Sequence, residues 1–256
     1  MTLFVWLVSM LSAVLPVQLP PVNAAADYQL GGAYSPAPGV KIVSRDMTAA
    51  PAKGRYSICY VNAFQTQPGE LPWWKANHPD LLLTRNNGTL VRDKDWPDEV
   101  ILDLRTAAKR SELASVTDGW FAECARKGFQ AVEPDNLDSW TRSAGLIKRA
   151  DTVSFVPMLI DQAHQHGLAI AQKNAAELTG SRLGFDFAVA EECEVYRECD
   201  SYFKTYGNNV IEIEYTDNGK AAFARACRNQ GKQISVILRD RDLVRRGQPH
   251  YAYESC

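Results

Sequence analysis

The chain reads as a single α/β domain, a (β/α)8 barrel of the TIM type, and three observations carry that reading. Apolar runs of strand length recur eight times and alternate with stretches of helical spacing, which means parallel βα units. The part left after an N-terminal leader is about 230 residues, enough for one such barrel. Seven of the eight runs end in a charge or an amide, as expected where strands open onto a polar mouth.

Residues 1–26 read as a secretory signal peptide, although the start lacks a basic side chain. An apolar run over 3–17 is followed by prolines and by Ala24, Ala25 and Ala26, small residues that suit cleavage near Ala25. The run is short of the roughly 20 residues that span a membrane, so no membrane association is expected after processing. The barrel domain then covers 27–256. Strands are expected at 40–43, 57–63, 100–104, 129–132, 168–171, 185–190, 210–213 and 233–238, with helical spacing over 107–126, 153–166 and 218–229. In the second helix Val156, Leu159, Ile160 and Ala163 share one face, and Gly167 supplies the stop.

Composition excludes several functions. The formal net charge of -2 and the lack of a Lys/Arg run with interleaved aromatics argue against nucleic acid as a partner. The six cysteines belong in disulfides if the chain is exported. Cys193 with Cys199 and Cys227 with Cys256 are plausible loops, leaving Cys59 with Cys124, but six cysteines allow 15 pairings. No CxxC spacing is present, and His164 and His166 lie two apart on a helix and face different ways. No nucleophile elbow, Walker loop or dinucleotide fingerprint occurs, so neither metal nor organic cofactor is expected.

The chain is organised around Gly128-Phe129-Gln130-Ala131-Val132-Glu133-Pro134-Asp135-Asn136, a buried strand that empties into acids. Pro134 closes the element and holds Glu133 extended. Other strand ends would bring Asn62, Asp103 with Arg105, Gln172 with Lys173 and Asn174, Glu191 with Glu192, Glu214 with Tyr215, and Arg239 with Asp240 to the same mouth. Paired acids without a metal cluster or an activated nucleophile suit glycoside hydrolysis, in which one carboxyl protonates the leaving oxygen and a second attacks carbon or activates water. Trp73, Trp74, Trp96 and Trp140 could offer flat faces to sugar rings, whereas Trp120 reads as core.

Five motifs in order resemble the endo-α-1,4-polygalactosaminidase family of glycoside hydrolases. They are Trp96-Pro97-Asp98-Glu99 leading into Leu102-Asp103-Leu104-Arg105, then Val132-Glu133-Pro134-Asp135-Asn136, Gln172-Lys173-Asn174, the run from Phe185 through Glu191-Glu192-Cys193, and Ile213-Glu214-Tyr215. The resemblance implies a TIM-like barrel, a polymer of α-1,4-linked galactosamine as substrate, and Asp135 and Glu191 as the catalytic acids. Asp103, Arg105, Glu133, Asn136, Trp140, Lys173, Asn174, Glu192, Glu214 and Tyr215 are expected to bind substrate around them. The chain departs from the family where a pair of first-strand aspartates is usual, with Lys41 and Val43 there, and at Asn62-Ala63-Phe64-Gln65-Thr66. A glycan-binding barrel without catalysis and a polysaccharide deacetylase are the alternatives.

Overall fold

The structure is a computed structural model that describes residues 16–256. Most of the expected leader lies outside the described residues. Eight parallel strands follow one another around a barrel: β1 (Ala26–Gln29), β2 (Ile42–Asp46), β3 (Tyr56–Asn62), β4 (Ala131–Asp135), β5 (Ala169–Lys173), β6 (Phe187–Glu191), β7 (Val210–Tyr215) and β8 (Ser235–Arg239). A short ninth strand, β9 (Tyr253–Ser255), runs antiparallel along β8. Side chains alternate with period two. Ile42, Ile58, Ala131, Ala169, Phe187, Ile211 and Ile237 fill the interior, while Val132, Ile170, Ala188 and Val236 pack against outer elements.

The number of barrel strands agrees with the sequence reading, but their identity differs in two places. β1 was not expected, because Ala-Asp-Tyr-Gln is too short and too polar to show an apolar pattern. The expected strand at 100–104 is not a barrel stave. It is fully buried, yet its partners are other parts of the long β3–β4 connection, through isolated antiparallel bridges such as Gln65 to Ile101 and Leu82 to Leu102. Burial made that run apolar, and an apolar run does not name its neighbour. Lys41 and Val43 accordingly belong to the second strand region, where Val43 is buried in a small outer cluster.

Helices cover only part of the barrel. They are α1 (Leu71–Asn77), α2 (Ala107–Lys127), α3 (Arg149–Gln165), α4 (Cys193–Tyr196), α5 (Cys199–Tyr206) and α6 (Ala221–Asn229). Thr106 caps α2 by accepting from the Lys109 N–H, and Gly128 ends it with a φ of 93°, a conformation that favours glycine. Val156, Leu159, Ile160 and Ala163 are buried along one face of α3, as their spacing requires.

The seam between β8 and β1 is closed by side chains. Arg239, fully buried, donates to Asp27 Oδ1 at 3.1 Å, to the Tyr28 carbonyl and to the Ala252 carbonyl at 3.0 Å. The residue expected at the mouth is thus a staple in the wall. Disulfides join Cys59 to Cys124, Cys193 to Cys199 and Cys227 to Cys256, tying β3 to α2, α4 to α5, and α6 to the chain end. At the barrel floor Val17 and Ala24 pack partly buried, and Tyr56 Oη donates to the Gln18 carbonyl at 2.5 Å. Because β1 begins at Ala26, the expected domain boundary after residue 26 falls inside a strand. No helix among the described residues is long and apolar enough to cross a membrane.

Candidate active site

The C-terminal ends of the strands open into a cleft of about 530 Å³. At its centre is an ammonium. Lys173, the last residue of β5, is only 2% exposed, and its Nζ lies 3.1 Å from Asp135 Oδ1, 3.0 Å from Glu191 Oε2 and 3.8 Å from Glu133 Oε1. Strands β4, β5 and β6 are adjacent, so residues at the ends of all three face one point. Each is followed by a residue in the left-handed region: Asn136 at φ 65°, Asn174 at 51° and Glu192 at 60°. These kinks turn the chain away from the strand line directly after the mouth residue. Asparagine accepts that conformation readily, and Glu192 adopts it at a cost of about 1 kcal/mol or more.

Both outer acids are fully engaged. Asp135 Oδ2 accepts from Tyr60 Oη at 2.7 Å. Glu191 Oε1 accepts from the Tyr215 hydroxyl, and Asn174 bonds it twice, donating to Oε2 at 2.9 Å and accepting from the backbone N–H at 2.8 Å. Burial works to raise the Asp135 carboxyl, but Lys173, the Tyr60 hydroxyl and the Asn136 N–H hold it below the usual carboxylate range. Burial works the other way on Lys173, and Asp135, Glu191 and Glu133 overcome it, keeping the ammonium charged well above its ordinary range. Glu133 sits one layer lower on β4, out of solvent, with Tyr28 Oη donating to it at 2.5 Å and Ser44 Oγ at 3.2 Å. Burial pushes its pKa up to about 7 despite Lys173 and Tyr28.

The two oxygens that touch Lys173, 3.1 and 3.0 Å from one nitrogen, can be no farther apart than the sum of those distances, 6.1 Å. One oxygen of each carboxyl is thus held within reach of a single sugar ring.

The long β3–β4 connection supplies one wall. Asn62, at the end of β3, donates to Glu99 Oε2 at 3.0 Å and accepts from Asn136 Nδ2 at 2.9 Å. Asn136 in turn accepts from Arg142, which also holds Asp93 at 2.6 Å and Asp138 at 2.7 Å. Trp96, 55% exposed, stands at the rim. On the opposite wall Arg241 lies 4.1 Å from the Tyr215 ring centre, bonds both oxygens of Glu192 at 2.9 and 2.6 Å, and clamps Asp217.

Of the residues expected to catalyse or to bind substrate, Asp135, Asn136, Lys173, Asn174, Glu191, Glu192 and Tyr215 line the cleft, and Glu133 lies beneath it. Four are elsewhere. Asp103 is buried between Arg105 and Lys109 at 2.8 and 2.5 Å, away from the cleft, because the 100–104 run is not a stave. Arg105 stays with it. Glu214 points outward from β7, where its neighbour in strand alternation, Tyr215, points in. Trp140 packs partly buried against the core. Trp74 is fully buried, edge-on to Trp73 and Trp120, rather than offered to sugar. Tyr28, Tyr60, Arg142 and Arg241 were not foreseen. Tyr60 stands two residues from Asn62 and was open to the alternation rule; the others depend on loops and on the missed β1.

Residues 10–256 match the model of glycoside-hydrolase family GH114. The chain belongs to that family. This GH114 chain is therefore a glycoside hydrolase, in agreement with the resemblance carried by its motifs. No curated protein matches it. Among solved structures it is similar to Ega3 from Aspergillus fumigatus, crystallised in complex with galactosamine, at 23% identity and a TM-score of 0.75, over 96% of this chain and 100% of that one. It is also similar to the glycoside hydrolase domain of PelA from Pseudomonas aeruginosa, at 16% identity and a TM-score of 0.62, over 88% of this chain and 97% of that one. At these identities the likeness speaks for the shared barrel fold of the GH114 chain.

Proposed function

We propose that the protein is an exported, endo-acting glycoside hydrolase that cleaves α-1,4-linked galactosamine polymers with retention of configuration. The observation that supports the reading is the single buried ammonium touching Asp135 and Glu191, which keeps one oxygen of each carboxyl within 6.1 Å of the other, close enough for a nucleophile and an acid/base to act on one sugar. Asp135, held as an anion, attacks the anomeric carbon as the bond to the leaving oxygen breaks, and Glu191, protonated before this step with the Tyr215 hydroxyl turned from donor to acceptor, gives that oxygen its proton. The resulting carboxylate of Glu191 takes a proton from water, whose oxygen attacks the same carbon and releases Asp135.

A cationic polymer is favoured by charge. Eight acids and three bases line the cleft, a formal -5, whereas the whole chain carries only -2. The galactosamine bound by the Ega3 structure has the same sense. The open cleft with Trp96 at its rim suits attack within a chain. Export is supported by the leader-like start and the three disulfides.

Incubation with deacetylated galactosamine oligomers tests the reading, with products read by mass and their anomeric configuration by proton NMR. Asp135→Asn and Glu191→Gln should each lower turnover at least about a hundredfold with the fold intact. Turnover within tenfold of the parent for either variant, or an inverted first product, counts against it.

A further inference from the structure

The acids of the cleft are not equivalent, and one of them is left with work to do. Both oxygens of Asp93, Asp135, Glu191 and Glu192 are taken by protein donors. Asp95 and Asp242 are exposed to solvent, and half-buried Asp138 is paired with Arg142. Among the described acids that line the cleft, Glu99 alone is both more than nine-tenths buried and left with an oxygen that no protein group bonds. Its Oε2 accepts from Asn62, no protein group bonds Oε1, and the residue lines the cleft. Burial, with the charges of Asp135 and Asp93, pushes its pKa up to about 7 against the Asn62 bond and Arg142. A cation arriving there would therefore be met by a carboxyl that gains from ionising.

The position of Glu99 is set beside Asp135 by way of Asn62. Asn62 is the register partner of Asp135 across the β3–β4 ladder, and it is Asn62 that carries Glu99. In a 2-amino sugar the nitrogen is on the carbon next to the one attacked. A group that reads this nitrogen must stand beside the nucleophile without taking part in bond breaking. Glu133 is also close to Asp135, but it is sealed under Lys173 and occupied by Tyr28 and Ser44.

We infer that Glu99 is the receptor for the substrate's 2-ammonium group and sets the preference of this site for free-amine over N-acetylated galactosamine. The inference rests on the proposed galactosamine reading. An acetylated nitrogen is neutral and bulkier, and it would leave the Glu99 carboxylate without a counter-charge in a confined place.

The test is Glu99→Gln, which keeps shape and can still accept from Asn62. The ratio of kcat/KM on deacetylated to N-acetylated galactosamine oligomers is measured for parent and variant. A fall of that ratio by tenfold or more supports the inference. An unchanged ratio, whether both rates fall together or neither does, overturns it, because a merely structural role lowers both. Calorimetric binding of the same two oligomers to each protein keeps the question separate from catalysis. If the parent binds the amine oligomer without cleaving it, the hydrolase reading of this substrate fails, while loss of the binding preference in Glu99→Gln still supports the receptor and its persistence overturns it.

Discussion

Replacing Lys173 by methionine keeps most of the side chain and removes only the charge at the centre of the site. At an effective dielectric constant of about 20, each of its contacts at 3.0 and 3.1 Å is worth about 5 kcal/mol before desolvation is subtracted. Breaking a buried ion pair by removing one member typically costs about 3–5 kcal/mol, because the remaining charges are left uncompensated. Here three carboxyls would be left. A carboxyl held below its ordinary pKa contributes stability that is present above that value and is lost as pH falls through the lowered one. Without Lys173, burial and the neighbouring acids act on Asp135 unopposed except by Tyr60 and the Asn136 N–H, so its pKa rises. The acid limb of kcat/KM should move up by at least about one pH unit, equivalent to about 1.4 kcal/mol, and acid unfolding should begin at higher pH. Turnover at neutral pH should fall at least about a hundredfold, the low end for acid/base catalysis. The assay is a pH–rate profile of parent and Lys173→Met, paired with acid unfolding followed by circular dichroism. An acid limb that stays in place would show that Lys173 does not set the charge state of Asp135. Turnover within tenfold of the parent would remove the clamp from the mechanism.

Two further outcomes concern the scaffold. Glu212 is buried on the outer face of β7 beside Glu214, and burial together with the Glu214 and Glu194 charges pushes its pKa up to about 9. An acid whose folded pKa is raised has its full stability below the unfolded value near 4.5 and loses it as pH rises through 9. Parent stability in urea should therefore decline between pH 5 and 9, and Glu212→Gln should flatten that decline and exceed the parent at pH 9; equal slopes would refute this. Thiol titration of the denatured, unreduced protein should find no reactive cysteine, since all six are bridged, and two or more thiols would contradict the framework.

Whatever depends on local spacing was legible in the chain of residues. Apolar runs of strand length identified most staves, and strand polarity then placed Asp135, Lys173 and Glu191 at one end of the barrel, because a parallel strand has only one mouth. It also specified the buried face of α3. Which groups meet depends on how the strands and their connections pack. The apolar run at 100–104 is as buried as any stave, but it pairs with its own connection, and that carried Asp103 and Arg105 out of the cleft. Four residues too polar to announce a strand became β1, and Arg239 left the mouth to bind Asp27 in the wall. Glu214 and Tyr215 were expected together, but adjacent residues on a strand face opposite sides, so only one could enter the site. The merging of three strand ends on one ammonium, which limits the separation of the two acids, depends on closure of the sheet into a barrel, and no spacing along the chain encodes that distance.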